Sequence, residues 1–257
     1  MSDGVVHLAI AGSVAMVVFD RPSARNAMTM AMYGALGDAC ETIARNPSVR
    51  VAVFRGAGNS FVAGTDIAHF TGFTSPEDGI FYEEIIDATV DRLERLPVPT
   101  VAAITGAAVG GGLILAAACD IRVATPEARF GIPIARTVGN CVSIANAARL
   151  AAAFGVSRAK GLLLLAELLS AEEARACGFL TDVVDGDAID DRVAAICETL
   201  SAHAPITMRT TREALRRVVV EGLPDDSDLI RAAYGSEDFR RGVTAFLEKA
   251  KPRFEGS

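Results

Sequence analysis

From Val98 to Cys119 the sequence VPTVAAITGAAVGGGLILAAAC carries no charged residue, and no other stretch limits the possible folds as strongly. It is long enough to cross a bilayer. Gly106 and Gly110 even have the GxxxG spacing of a paired membrane helix. Against a span, Pro99 opens the run, the triplet Gly110-Gly111-Gly112 interrupts it, and no second such segment exists. A buried strand, a glycine turn and a buried helix fit instead, so no membrane contact is expected.

The rest of the chain supports an α/β reading. The alternating segments VVHLAIAG and VAMVVFDRP flank Gly12-Ser13 and predict an N-terminal hairpin ending at Pro22. TMAMYGALGDACETIARN has helical spacing of apolar residues, and VRVAVFRG is a short β-branched run. A Gly-rich loop, GAGNSFVAGTDIAHF, leads through the helical PEDGIFYEEIIDATVDRLERL to the strand TVAAIT, the glycine triplet with its helix, and the strand DIRVAT. Strands alternating with helices predict a parallel or mixed sheet with its active groups at strand-to-helix loops. Beyond ARFGIPIARTVGNC the segments VSIANAARLAAAF, SRAKGLLLLAE, SAEEARACG and DAIDDRVAAICETLSAHA all read as helices, and from about residue 195 the pattern is purely helical. The expected organisation is a core over 1–195 and a helical region over 196–257 that must bury its apolar faces on the core or on a neighbouring subunit.

Charge narrows the partners. With 25 Lys and Arg against 32 Asp and Glu the net charge is −7, which provides no basic field for nucleic acid. Cys40, Cys119, Cys141, Cys177 and Cys197 are odd in number and form no CxxC pair, so neither a disulfide framework nor a metal site is expected. A reduced, cytoplasmic compartment fits, and the N-terminus lacks the pattern of a secretory signal.

Two loops share one physical signature: a strand, small residues, then a helix start. They are Val62-Ala63-Gly64-Thr65-Asp66 and Gly110-Gly111-Gly112-Leu113. Small residues let another molecule approach the backbone, and the first N–H groups of a helix have no internal acceptors. Each loop can offer donors to an anion or a carbonyl oxygen, helped by the helix dipole. The alternative is that the glycines only permit close strand–helix packing.

Together with FDRPSARNAMT, ARFGIPI, SAEEARACGFLTDVV and GVTAFLEKAKPRF, these loops resemble the crotonase superfamily, the enoyl-CoA hydratase/isomerase family, over nearly the whole chain. The resemblance implies a spiral of ββα units with a C-terminal helical region serving capping or trimerisation, assembled as a homotrimer or a hexamer. It implies an acyl-CoA or enoyl-CoA substrate, with CoA present as part of that substrate and no permanently bound cofactor. The backbone N–H groups of Ala63 and Gly111 would form an oxyanion hole for the thioester carbonyl. Arg25 would lie near the CoA phosphates or ribose, and Ala63, Gly64, Thr65 and Asp66 would line the adenine and thioester pocket beside Gly110. Lys249 would reach CoA in a neighbouring subunit. Arg25 and Lys249 could equally be solvated charges, and Asp66 could fix its own loop.

The sequence departs from the family's hydratases at both expected glutamates, where it has Ile114 and Ile134. An isoleucine neither orients water nor transfers a proton, so paired-carboxylate hydration is not expected. Other polar candidates are His69, just beyond the first loop, and Arg136, Thr137, Asn140 and Cys141 in ARTVGNC. A histidine suits proton transfer, but His69 could be a solvent-facing loop residue. Cys141 could be a nucleophile only with a depressed pKa. Glu83, Glu84 and Asp87 lie on one predicted helix, from which one could turn inward.

Three functions remain to be distinguished. The first is an enzyme that stabilises a thioester enolate with a non-standard acid or base, and the second is an acyl-CoA-binding protein without catalysis. The third, nucleotide oxidoreduction, is suggested by the G-x-G of VAVFRGAGNSF and by Asp78. Phe61 at the third glycine position opposes it.

Overall fold

The computed structural model describes residues 4–222, 237, 241, 248, 250 and 253–257. Two strands, β1 (Val5–Ala11) and β2 (Val14–Asp20), form the expected antiparallel hairpin. Its turn uses Gly12 at φ +58°, a conformation costly for any residue with a Cβ. Helix α1 (Met30–Arg45) starts where the Thr29 side chain accepts the Met32 N–H, and buries Met32, Tyr33, Leu36, Cys40 and Ile43 along one face. Then follow β3 (Val51–Gly56), α2 (Pro76–Glu94), β4 (Thr100–Ile104), β5 (Ala107–Val109), α3 (Gly111–Ala118), β6 (Ile121–Ala124) and β7 (Arg129–Gly131). The remainder is α4 (Ile144–Leu164), β8 (Leu169–Ser170), α5 (Ala171–Ala176), β9 (Asp182–Val183), α6 (Ile189–Ala202) and α7 (Pro205–Val220).

The strands form two sheets, one ordered β1-β2-β3-β4-β6-β9 and one ordered β5-β7-β8. Successive strand pairs divide between them: β4 joins the first sheet and β5 the second, followed by α3, and β6 and β7 repeat the division before α4. This is the spiral of ββα units expected from the resemblance. The bridges Met28 to Thr65 and Val62 to Ala108 tie in the loops that lack full strands.

Every residue of β4 is buried, because helices cover both faces of the central strands. Val51, Val53, Val101, Ala103 and Val123 face α6, whose Ile189, Val193, Ile196 and Cys197 pack on them. Ala52, Phe54, Ala102, Ile104 and Ala124 face the larger core with α1 to α4. The division expected at 195/196 falls inside α6, since that helix seals one face of the sheet and belongs to the core. The two helical segments expected around residue 155 are both present: they meet within α4 at a kink where Gly155, at φ +72° and ψ 151°, is not helical. All five cysteines are free.

Candidate active site

Gly112 explains why a glycine triplet precedes α3. A Cβ there would overlap the Val62 carbonyl oxygen and stand 2.8 Å from the Val62 carbonyl carbon, so the helix start lies directly against the Ala63 loop. A Cβ on Gly110 would come within 3.4 Å of the Gly64 Cα. The glycines therefore permit the close packing of the two loops. Among the described residues, the N–H groups of Gly111 and Gly112 have no hydrogen-bond acceptor, as the first turn of a helix dictates.

The Ala63 N–H differs from the expectation of an open donor. It donates to the Arg25 carbonyl oxygen at 3.0 Å. The cause is a left-handed pair, Arg25 at φ +51° and Asn26 at φ +58°, that turns the Arg25 carbonyl toward the loop. Buried Asn26 holds this turn by accepting the Arg21 N–H and donating to the carbonyls of Ala57 and Ser60. The Arg25 side chain itself is exposed.

Asp66 takes the loop-fixing role. One carboxylate oxygen accepts the Ala68 N–H at 3.1 Å and the other lies 2.8 Å from Arg21, a buried guanidinium. These interactions, the Ala68 bond foremost, hold its carboxyl below the usual carboxylate range.

Thr65 has company that the sequence reading missed. Its hydroxyl lies 2.9 Å from the Tyr33 hydroxyl and 2.8 Å from that of Tyr82. Tyr33 is 1% exposed and Tyr82 8%, and burial pushes both phenols above their ordinary pKa, keeping them neutral. A Cβ on Gly111 would stand 2.6 Å from the Tyr33 oxygen and 3.4 Å from that of Thr65. The hydroxyl chain thus lines the back of the glycine helix start. The available signal was a tyrosine on the apolar stripe of α1, since a buried phenol requires a hydrogen-bond partner.

A cavity of about 690 Å³ opens beside this chain, walled by Phe70, Phe73, Ile80, Tyr82 and Val138. It brings Asn140 and Cys141 together with Glu83, Glu84 and Asp87. His69 is not among its walls. That ring packs against Phe70, Phe73 and Tyr82 and lines a separate hollow with Met30 and Phe81. Thr137 is occupied locally, its hydroxyl donating to the Pro133 carbonyl, and Arg136 is exposed. Ile114 is 3% exposed within the core, and Ile134 is half-buried against it. Lys249 lies outside the described residues.

Residues 9–257 match the family described as enoyl-CoA hydratase/isomerase. The chain belongs to the enoyl-CoA hydratase/isomerase family. It is 31% identical to the short-chain-enoyl-CoA hydratase of Clostridium acetobutylicum, covering 93% of each chain. It is 29% identical to the 2,3-dehydroadipyl-CoA hydratase of Escherichia coli, over 95% of both. Among solved structures, an enoyl-CoA hydratase/carnithine racemase from Magnetospirillum magneticum superimposes with a TM-score of 0.90 at 32% identity, covering 98% of this chain and 96% of that one. The crotonase fold expected from the sequence is therefore present.

Proposed function

We propose that this family member binds an acyl-CoA or enoyl-CoA thioester and stabilises its enolate, acting as a lyase or isomerase and not as a standard hydratase. The observation carrying this reading is the unoccupied Gly111 N–H at the start of α3, seated against the Ala63 loop. A donor aimed at a developing oxyanion contributes about 3 to 4 kcal/mol in acyl-transfer enzymes. Ile114 and Ile134 leave the two hydratase positions without a carboxylate.

The second donor, Ala63 N–H, joins by exchanging the Arg25 carbonyl for the thioester oxygen. An ordinary hydrogen bond contributes about 1 kcal/mol net, and one to a charged group about 1.5 to 3. The exchange is thus close to neutral for the ground-state carbonyl and favourable as charge develops, which is the differential binding that catalysis requires. In this reading Arg25, which is exposed, meets the CoA phosphate or ribose, and Gly64, Thr65 and Gly110 line the thioester pocket.

Assembly as a homotrimer or hexamer is supported by apolar side chains left exposed on and just beyond α4, including Ile144 at 89%, Leu164 at 71% and Leu165 at 68%. The free thiols agree with a cytoplasmic location. Among the described residues, no helix is long and apolar enough to cross a membrane.

A second reading, non-catalytic acyl-CoA binding, is favoured by the two isoleucines. Incubation with a panel of CoA thioesters separates the two. The enzyme reading expects α-proton exchange or conversion, together with negligible hydration of crotonyl-CoA. Binding without either would establish the second reading, and ordinary hydratase turnover would overturn the role assigned to Ile114 and Ile134.

A further inference from the structure

With no carboxylate at positions 114 and 134, enolate chemistry on this scaffold needs another proton carrier. The 690 Å³ cavity contains three carboxylates, all from α2: Glu83, Glu84 and Asp87. Asp87 is committed to structure, accepting the Ser143 hydroxyl at 2.7 Å and the Asn146 amide at 2.9 Å, with Arg149 at 3.9 Å. Glu84 is exposed. Glu83 differs from both. It is half-buried, one carboxylate oxygen accepts the Ser143 N–H at 3.2 Å, and the other has no partner among the described residues.

Its surroundings also suit the task. Phe70, Phe73, Ile80 and Val138 give the cavity apolar walls able to take an acyl chain. Its neighbour Tyr82 connects the cavity through the Thr65 hydroxyl to the start of α3 at Gly111. Burial foremost, with the charge of Asp87 adding, raises the carboxyl above its ordinary range and makes its ionised form a stronger base.

We propose that Glu83 is the catalytic base of this chain, acting from α2 across the cavity on a CoA thioester with an apolar acyl group. This rests on the enolate reading above. A Glu83 oxygen takes the proton from the carbon next to the thioester carbonyl, and the C–H electron pair becomes the carbon–carbon double bond of the enolate. The carbonyl π pair moves to the oxygen facing Gly111. Return of the proton to the same carbon gives exchange, and its return to the far end of a conjugated enolate shifts a double bond. Either return regenerates the carboxylate. One carboxylate suffices for both outcomes, whereas hydration would need a second group to orient water.

The test is α-proton exchange of butyryl-CoA and octanoyl-CoA in D2O, followed by NMR, with thioester binding measured by calorimetry. Glu83→Gln should lose at least about 100-fold in exchange rate, the lower range for general base catalysis, while binding changes by less than about threefold. Glu77→Gln, on an exposed position of the same helix, should retain the wild-type rate. Should Glu83→Gln not fold, Glu83→Asp keeps the charge and withdraws it by one methylene, and Val138→Trp fills the cavity. Both should slow exchange at least about tenfold in folded protein. Exchange at the wild-type rate in Glu83→Gln, or in both substitute variants, overturns the assignment and leaves the enolate reading standing. A wild-type protein that binds thioester without exchange overturns both.

Discussion

The Arg25 carbonyl oxygen accepts the Ala63 N–H at 3.0 Å, so a residue expected to meet CoA with its side chain also occupies the proposed oxyanion donor with its backbone. These two roles can be separated by mutation. Arg25→Gly keeps the carbonyl and tolerates φ +51°, so stability should stay within about 1 kcal/mol of wild type. Affinity for a CoA thioester should fall about tenfold, the equivalent of one lost charge-assisted contact. Unchanged affinity in calorimetry would remove the Arg25 side chain from the ligand site.

The glycine triplet predicts two unequal substitutions. Gly112→Ala places its Cβ against the Val62 backbone, which cannot withdraw, and should destabilise by at least about 2 kcal/mol. Gly111→Ala meets the Tyr33 oxygen at 2.6 Å, whereas the ring carbon behind it is 3.9 Å away. Removing that oxygen in Tyr33→Phe should therefore recover about 1 kcal/mol of the Gly111→Ala loss. Denaturant unfolding of the two single variants and the double variant checks this, and strictly additive losses would contradict it.

Acid stability should depend on Glu213. Hydrogen bonds from Arg216 foremost, and from Arg217, lower its carboxyl to about 2 in the folded protein. A depressed carboxylate stabilises the fold fully above its unfolded pKa of about 4.3, and that contribution fades as pH falls toward the folded value. Asp66, held down by the Ala68 N–H and Arg21, acts in the same direction. Melting temperature should therefore drop between about pH 4.3 and pH 2, and Glu213→Gln should flatten this limb. An unchanged acid limb in the variant would show that the ion pairs are equally present after unfolding.

Placing glutamate at positions 114 and 134 carries a cost at one position more than the other. Ile114 is 3% exposed in the core, so Ile114→Glu alone should destabilise by about 1 to 3 kcal/mol through burial of a poorly paired polar group. Half-buried Ile134 should accept glutamate more easily. If the backbone donors are already arranged, the double variant should hydrate crotonyl-CoA at least tenfold faster than the parent. No gain in a folded double variant would mean that the cavity does not present the double bond between these positions.

The hairpin, the central strands and the long helices were legible because each carries its own periodicity, as in the buried stripe Met32, Leu36, Cys40 and Ile43. Strands β5, β8 and β9 were not, since two or three residues contain no period and their pairing is made entirely by distant partners. The two glycine loops were visible as small residues between elements, and the structure places them together. The bond from Ala63 to Arg25 was hidden because it depends on a left-handed turn far away in sequence. Of the three α2 carboxylates that line the cavity, only packing against Ser143, Asn146 and Arg149 separates Glu83 from Asp87.

Gly112 sets an evolutionary boundary inside the proposed site. Any missense change in a glycine codon adds a side chain, and here that side chain would have to share space with the Val62 backbone. The donor Gly111 N–H, belonging to the main chain beside it, has no codon of its own to lose. Ile114 and Ile134 face no such barrier, and a few nucleotide changes can replace either. Substitution at positions 114 and 134 therefore changes the side chains around the proposed thioester site and leaves its backbone donor in place.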